Sequence, residues 1–330
     1  TFMEGQGIRL DADVEYACGF FSEEDELVAC GGHAGAILKG FAVAEEARGC
    51  NMLGRLVSAV TAHQAQQGRT RLRVFTAPDK VQLFESSGFG LVACGTEAAL
   101  LENFKGGVER FAGEARQRVL VQVPGADFSS AGAVVMNCNP FTRGHRSLVE
   151  RAAGQSSLLY VFVVEEDRSV FPFDVRIRLV REGLADLANV AVLPSGPYMI
   201  SQATFPSYFI KEQARAGEVC TDLDAVLFAR RIAPALGIRR RFAGTEPSCA
   251  VTGAYNRIMA SVLPAHGIEF VEFPRLEADG APVSASAVRQ LLAAAGPSAP
   301  GLDRLLSPCV LRWLSSTEAA GTLARLADKA

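Results

Sequence analysis

The sequence NCNPFTRGH at Asn137–His145 follows the apolar run Ala131–Met136 and precedes a segment with helical spacing from Arg146 to Ala153. A short buried strand, a turn containing Pro and Gly, and then a helix form the unit from which parallel α/β sheets are built. Ligands bind such sheets at the carboxyl ends of the strands, which is where this turn lies. The segment therefore predicts both the fold class and the place of a binding site.

Strand and helix patterns continue to alternate after this turn. Together they predict a doubly wound parallel sheet over residues 131–330, completed by C-terminal helices. The strands are predicted at Leu158–Val164, Val190–Leu193, Arg241–Ala243 and Phe270–Phe273, and a long helix at Asp174–Leu187.

The N-terminal part of the chain predicts a separate, smaller α+β domain over residues 1–105. It contains a hairpin expected to turn at Gly31–Gly32 and a helix expected over Leu53–Gln67. Residues 106–130 are polar and rich in glycine, so we expect a linker there.

Composition limits the classes of function. The chain has 330 residues and a net charge of −3, which argues against broad binding to nucleic acid or to an anionic membrane. No apolar run approaches the roughly 20 residues that span a bilayer. The eight cysteines are scattered without a CxxC pair, so we expect no zinc site, no disulfide framework and a cytoplasmic protein. No metal ligands are predicted.

The turn at 137–145 has the chemistry of a phosphate site. His145 is expected in the first helical turn, where it can donate to a phosphate oxygen, and Thr142 places a hydroxyl on the same side. Gly144 is expected to let a phosphate approach the backbone closely. Asn137, Asn139 and Phe141 are assigned to the same nucleotide site. The alternative is an ordinary surface or core histidine.

A second segment, Val283–Arg289 (VSASAVR), predicts another anion site. Ser284 or Ser286 can cap a helix over Ala287–Leu292, whose free amides and dipole favour phosphate oxygens. Arg289 follows about one turn into that helix and can bind phosphate. Taken alone, the segment is typical of an ordinary serine-capped surface helix, and its pairing with the Thr142–His145 turn is what favours phosphate binding.

Further candidates follow other strand ends. Lys211 can neutralise phosphate and Arg176 can contact triphosphate or a carboxylate, although a solvated lysine and a salt bridge are equal alternatives. Gly244 and Glu246 are expected to contact the nucleoside or substrate. The acidic turn Glu165–Asp167 is expected to face solvent rather than a metal.

These segments carry a family resemblance. Thr142–His145 is similar to the [His/Thr]-x-Gly-His signature of the nucleotidyltransferase superfamily, and Val283–Arg289 resembles its Ile-Ser-x-Ser-x-x-Arg motif. The longer string Val135–Arg146, with Val164–Phe173, Ile200–Lys211 and Gly244–Pro247, resembles the [citrate (pro-3S)-lyase] ligase family over essentially the whole chain. That family also has an N-terminal acetyltransferase-like domain.

The resemblance implies an ATP- and Mg²⁺-dependent acid–thiol ligase. Acetate would be converted to acetyl-adenylate, and the acetyl group would pass to the prosthetic-group thiol of the citrate lyase acyl carrier subunit, releasing AMP and pyrophosphate. One alternative is an adenylyltransferase of coenzyme A or NAD precursor synthesis. Another is an acyl-CoA-binding acetyltransferase.

The acetyltransferase-like domain departs from its own family pattern at the loop that binds acyl-CoA. With Arg48–Gly49 aligned, Asn51 and Leu53 occupy the positions of the two glycines whose backbone contacts pyrophosphate, and Gly54 lies one position late. We therefore expect this domain not to bind acyl-CoA.

Overall fold

The computed structural model describes residues 2–9, 11–165, 169–200, 205–210, 212–246 and 250–327. The N-terminal elements are α1 (Phe2–Gly5), β1 (Tyr16–Phe21), β2 (Leu27–Ala34), β3 (Ile37–Val43), α2 (Met52–Gln66), β4 (Arg73–Thr76), α3 (Val81–Glu85), β5 (Gly90–Cys94) and β6 (Ala99–Glu102). Next come α4 (Gly107–Gln122), β7 (Ala131–Met136), α5 (Arg143–Ala153), β8 (Leu159–Val163), α6 (Phe173–Gly183), β9 (Val190–Pro194) and α7 (Ala216–Leu227). The last are α8 (Ala233–Leu236), β10 (Ile238–Gly244), α9 (Ala250–Val262), β11 (Glu269–Phe273), β12 (Glu277–Ala278), β13 (Ala281–Pro282), α10 (Ala285–Ala295), α11 (Leu302–Leu305), α12 (Pro308–Leu314) and α13 (Ala320–Ala327).

Packing divides the chain into two compact units. The first consists of Thr1–Gly107 together with Ile200–Arg230. The later segment joins this unit because Asp222 accepts a hydrogen bond from the Thr96 amide at 2.6 Å. The Tyr208 hydroxyl also donates to the Phe75 carbonyl at 3.1 Å. The expected domain over 131–330 is therefore interrupted by a segment that packs with the N-terminal unit.

The N-terminal unit contains a mixed six-stranded sheet in the order β1-β2-β3-β4-β6-β5. The predicted turn at Gly31–Gly32 is wrong, because both residues lie inside β2 and the chain turns after Ala34. A Cβ atom on Gly32 would lie 2.2 Å from the Tyr16 carbonyl, and one on Gly31 would lie 2.6 Å from the Phe41 ring. These glycines permit close approach inside the sheet rather than a turn.

The second unit consists of Val108–Met199 and Arg231–Ala330. Its five strands are ordered β11-β10-β7-β8-β9 and every pair is parallel. The chain moves from β7 outward to β9 and then returns on the other side of β7, so the topological switch lies between β7 and β10. The predicted fold class, a doubly wound parallel sheet after a smaller α+β region, is confirmed. The expected linker is largely the helix α4.

The core of the second unit is built on β8, whose five residues are all buried. Such a continuous apolar strand is typical of a sheet covered on both faces. The C-terminal helices contribute to this core, since Trp313 of α12 packs against Phe171 with ring centroids 5.5 Å apart. Within the described residues, no helix combines the length and apolarity that crossing a membrane requires.

Candidate active site

The turn after β7 ends in a capping box at the start of α5. Thr142 is the N-cap residue, and its Oγ1 accepts a hydrogen bond from the His145 amide at 3.3 Å. In return, the His145 ring accepts one from the Thr142 amide at 3.0 Å. The spacing Thr-x-x-His is therefore the spacing of a reciprocal cap, in which His takes the place usually held by Glu or Gln.

This cap fixes the tautomer of His145. The bond from the Thr142 amide ends on Nδ1, and an amide N–H can only donate, so Nδ1 is the acceptor. The ring proton of the neutral imidazole is then on Nε2. Burial, followed by the charge of Arg275, lowers the pKa of His145 to about 4. At neutral pH the side chain is therefore an uncharged hydrogen-bond donor.

Gly144 lies where the two predicted phosphate segments meet. A Cβ atom on this residue would be 3.1 Å from the carbonyl oxygen of Val283 and 3.5 Å from Thr142 Oγ1. The missing side chain therefore makes room for the segment before α10, in addition to any ligand. The N-terminus of α5 and the approach to α10 are in direct contact.

The second segment is capped as predicted, and the structure selects one of the two serines. Ser284 is the N-cap of α10, and its Oγ accepts from the Ala287 amide at 3.1 Å. Ser286 Oγ is instead 3.0 Å from Arg289 Nη2, which donates to it. Arg289 Nη1 donates to the carbonyl oxygen of Asn139 at 2.5 Å. Arg289 thus connects α10 to the turn after β7.

Asn139 joins three segments of the site. Its carbonyl oxygen receives Arg289, and its side-chain Oδ1 accepts from the Phe171 amide at 3.0 Å. The peptide bond to Pro140 is cis. Asn137 is exposed at the end of β7, where its Oδ1 accepts from Ser169 Oγ at 3.2 Å. Asn139 therefore organises the loops, whereas the exposed Asn137 remains accessible to a ligand.

Arg176 was expected to contact a ligand, but in the structure its guanidinium binds backbone carbonyls. It is fully buried, and its guanidinium donates to Asn137 O and Val164 O, each at 2.7 Å, and to Phe171 O at 3.0 Å. The first two of these carbonyls follow the ends of β7 and β8. Since no surface of Arg176 is exposed, the expected ligand contact is corrected to a structural role.

Phe141 also differs from its expected role as a nucleotide contact. Its side chain has no exposed surface, and its ring atom Cε1 would lie 2.5 Å from a Cβ on Gly183. The ring stacks on His145, with centroids 6.1 Å apart and planes inclined by 17°. Phe141 therefore supports the imidazole from the core side instead of facing a ligand.

The end of β10 adds a charged pair at the same edge of the sheet. Glu246, a predicted contact, is almost buried and forms an ion pair with Arg275. Arg275 also donates from Nε to the Thr245 carbonyl at 2.8 Å, and its Cγ would lie 3.8 Å from a Cβ on Gly244. Sequence reasoning missed Arg275, although it follows β11 at the strand end where the rule for parallel sheets places ligands.

Three of the residues singled out in the sequence lie outside the described part of the chain. They are Lys211 and, from the acidic turn, Glu166 and Asp167. Glu165 is described, and its amide donates to Ser195 Oγ at 3.1 Å. Over the described ranges, no group of three or more His, Cys, Asp or Glu side chains is arranged to hold a metal ion.

The loop of the N-terminal unit that corresponds to the acyl-CoA pattern leads into α2. Asn51 precedes α2 in the left-handed region with φ at 53°. A Cβ atom on Gly54 would lie 2.4 Å from Asn51 Oδ1, so the carboxamide already covers the first turn of the helix. Asn51 and Gly54 also border a pocket that Phe20, Ser86 and Ser87 line.

Comparisons with known proteins give the chain its family. Residues 131–306 match the family described as "Citrate lyase ligase C-terminal domain". The chain is 41% identical over 295 residues to the [citrate [pro-3S]-lyase] ligase of Klebsiella pneumoniae, covering 88% of this chain and 84% of that protein. It is 38% identical over 298 residues to the Escherichia coli (strain K12) enzyme of the same name, covering 88% and 83%.

Among solved structures, pantothenate synthetase from Thermus thermophilus is similar at 18% identity and a TM-score of 0.38, covering 64% of this chain and 79% of that one. The family match spans more than half of the chain, and it includes the turn after β7 and the start of α10. The chain therefore belongs to the [citrate [pro-3S]-lyase] ligase family and is an enzyme of the ligase class.

Proposed function

We propose that this ligase activates acetate with ATP and transfers the acetyl group to the prosthetic-group thiol of the citrate lyase acyl carrier subunit. The observation that carries the proposal is the contact between two capped helix N-termini, with a neutral His145 donor on one and Arg289 on the other. Helix N-termini favour anions through their free amides and their dipole. Two such termini side by side are suited to a polyphosphate.

In the first step, a carboxylate oxygen of acetate attacks the α-phosphorus of ATP. The bond from the α-phosphorus to the bridging oxygen breaks, which gives acetyl-adenylate and pyrophosphate. Negative charge increases on the departing pyrophosphate, so fixed donors near it lower the barrier. His145 Nε2 and the Arg289 guanidinium would supply these donors. No covalent intermediate on the enzyme is required.

The tautomer of His145 supports this role. A histidine held neutral by burial and by the Thr142 cap keeps its proton on Nε2 and needs no protonation event to donate. Arg289 is already oriented by Asn139 and Ser286, so little conformational freedom is lost when a phosphate binds. Catalysis of this kind depends on positioning and charge neutralisation.

We expect Mg²⁺ to enter with the nucleotide. Mg²⁺ usually keeps several waters and is bound through substrate phosphates with only one or two protein carboxylates. When bound, the ion would share the phosphate charge with Arg289.

In the second step, the carrier thiol attacks the acetyl carbonyl of the adenylate. The bond from the acetyl carbon to the phosphate oxygen breaks, AMP leaves, and the thiol loses its proton. The names of the curated relatives, ligases of citrate [pro-3S]-lyase, support citrate lyase as the acceptor. Acetate is proposed as the acid by this resemblance.

Isotope exchange tests the first step without the carrier. Purified enzyme with ATP, Mg²⁺ and acetate should exchange labelled pyrophosphate into ATP, and a panel of short acids should identify the preferred carboxylate. With reduced carrier subunit the products should be AMP, pyrophosphate and acetyl thioester. No exchange with any acid, or a product that retains the nucleotide, would contradict the proposal.

A further inference from the structure

A groove crosses the second unit away from the loops described above. It lies between α4 and α6 along β9, has a volume of about 700 Å³, and is floored by Leu184, Leu187 and Val190. Val121 also lines it and is 81% exposed, more than any other large hydrophobic side chain in the described part of the chain. Exposed apolar surface of this kind commonly marks an interaction site.

The charges of the groove have one sign. Arg118 of α4 and Arg181 of α6 both line it. Arg181 Nη2 donates to the Val192 carbonyl at 3.4 Å, and within the described ranges neither guanidinium has a carboxylate partner. Burial, followed by the neighbouring charge of Arg118, lowers the pKa of Arg181. The chain as a whole carries −3. Two unneutralised arginines over an apolar floor therefore complement an acidic, partly apolar surface.

The strand beside the groove is not open to another strand. β9 is the last strand of its sheet, yet the main chain of Val192 already pairs with the Gln122 side chain. The amide of Val192 donates to Gln122 Oε1 at 3.0 Å, and Gln122 Nε2 donates back to the Val192 carbonyl at 3.2 Å. This pairing blocks strand addition there, whereas a channel between two helices suits an incoming helix.

We propose that this groove binds an acidic amphipathic helix of the citrate lyase complex. Acidic side chains of that helix pair with Arg118 and Arg181, and its apolar face packs on Leu184, Leu187 and Val190. The identity of the partner rests on the proposed function, whereas the acidic and helical character rests on the groove itself.

The position of the groove is compatible with acyl transfer. Val190 begins β9, so the groove lies towards the amino ends of the strands, while the candidate active site follows their carboxyl ends. A helix held in the groove would leave the loop at Thr142–His145 accessible. The contact therefore anchors the substrate complex without occupying the site of the reaction.

The experiment compares two reactions of the same enzyme. The double variant Arg118→Glu/Arg181→Glu and the single variant Val121→Glu are assayed for pyrophosphate exchange and for acetylation of intact citrate lyase complex. Arg239→Glu, at an exposed position outside the groove, is the control. We expect KM for the complex to rise about tenfold or more in both groove variants, while pyrophosphate exchange stays unchanged. The rise in KM should be smaller at high salt.

Wild-type KM for the complex in both groove variants would overturn the proposal, as would an equal effect of Arg239→Glu. Equal loss of exchange and acetylation would also overturn it, since the groove would then serve the fold. If the wild-type enzyme itself showed no exchange, the proposed function would fail, and direct binding of citrate lyase complex to wild type and variants would still test the groove.

Discussion

Arg289 Nη1 lies 2.5 Å from the carbonyl oxygen of Asn139 and donates a hydrogen bond to it, which joins two segments separated by 150 positions. The same contact region brings Val283 O to within 3.1 Å of a Cβ position on Gly144. The two helix N-termini are thus fixed against each other by the protein alone. Such preorganisation is what a site needs when its task is to position phosphate and stabilise charge.

His145→Ala should remove most of the proposed activity and little of the stability. Loss of one preorganised donor costs about 10²–10³-fold in rate. Loss of one half of the capping box costs about 0.5–2 kcal/mol in the free energy of unfolding. Pyrophosphate exchange and urea denaturation measure the two effects, with His266→Ala as an exposed control. Near-normal exchange in His145→Ala would contradict the assigned role.

The neutral state of His145 predicts a pH dependence of stability. Its pKa is lowered to about 4 in the folded protein, whereas an unfolded histidine titrates near about 6.5. Between these values the unfolded chain binds more protons, so the contribution of His145 is complete above the unfolded value and is lost as pH falls towards 4.

The measurement compares wild type with His145→Gln, which cannot titrate. As pH falls from about 6.5 to 4, the free energy of unfolding of the wild type should decrease relative to that of the variant. A difference that is constant over this range would show that the histidine is not held neutral.

Gly144→Ala should separate the two phosphate segments. The added methyl group would lie 3.1 Å from the Val283 carbonyl oxygen. The backbone would have to shift to relieve this close contact. Overpacking of this kind costs about 1–3 kcal/mol, and we expect KM for ATP to rise as well. Gly154→Ala at the other end of α5 is the matched control, because its nearest contact would be an ordinary 3.6 Å. Equal behaviour of the two variants would refute the steric argument.

Arg289→Lys should preserve charge but not geometry. A lysine carries one donor group and cannot reach Asn139 and Ser286 in the fork arrangement of the guanidinium. We expect a fall in kcat/KM for ATP of about tenfold, corresponding to about 1.4 kcal/mol. Kinetics of pyrophosphate exchange test this, with Gln290→Ala as the exposed neighbour. Full activity of Arg289→Lys would mean that charge alone is sufficient.

Arg176→Met should destabilise the fold rather than impair chemistry alone. The guanidinium satisfies carbonyls at the ends of β7 and β8, and each buried acceptor left without a donor costs about 1–3 kcal/mol. Arg178→Met, two positions along the same helix, removes only an exposed ion pair with Glu318 and should cost below about 1 kcal/mol. Urea denaturation compares them; similar stabilities would contradict the structural role of Arg176.

Local sequence was sufficient for the features that depend on local rules. Apolar strands, capping residues and turn chemistry predicted the parallel sheet, a helix directly after the turn at 137–145 and a serine cap on the helix that follows Val283. The structure placed the two N-caps at Thr142 and Ser284. These features follow from hydrogen bonds and burial within a few residues of each other. The same rules were wrong at Gly31–Gly32, because a glycine that ends a strand and one that permits close packing look alike in sequence.

Tertiary structure decided which polar residues face a ligand and which hold the protein together. The sequence predicted Arg176 and Phe141 as site residues, yet both are buried. Arg275 was not predicted, and it reaches the site from the segment after β11. The hydrogen bond between Arg289 and Asn139 likewise depends on the tertiary structure. The sequence by itself determined the chemistry of the Thr142–His145 cap, because its partners are three residues apart. The orientation of a long side chain depends on elements that are distant in the chain, so only the folded structure could decide it.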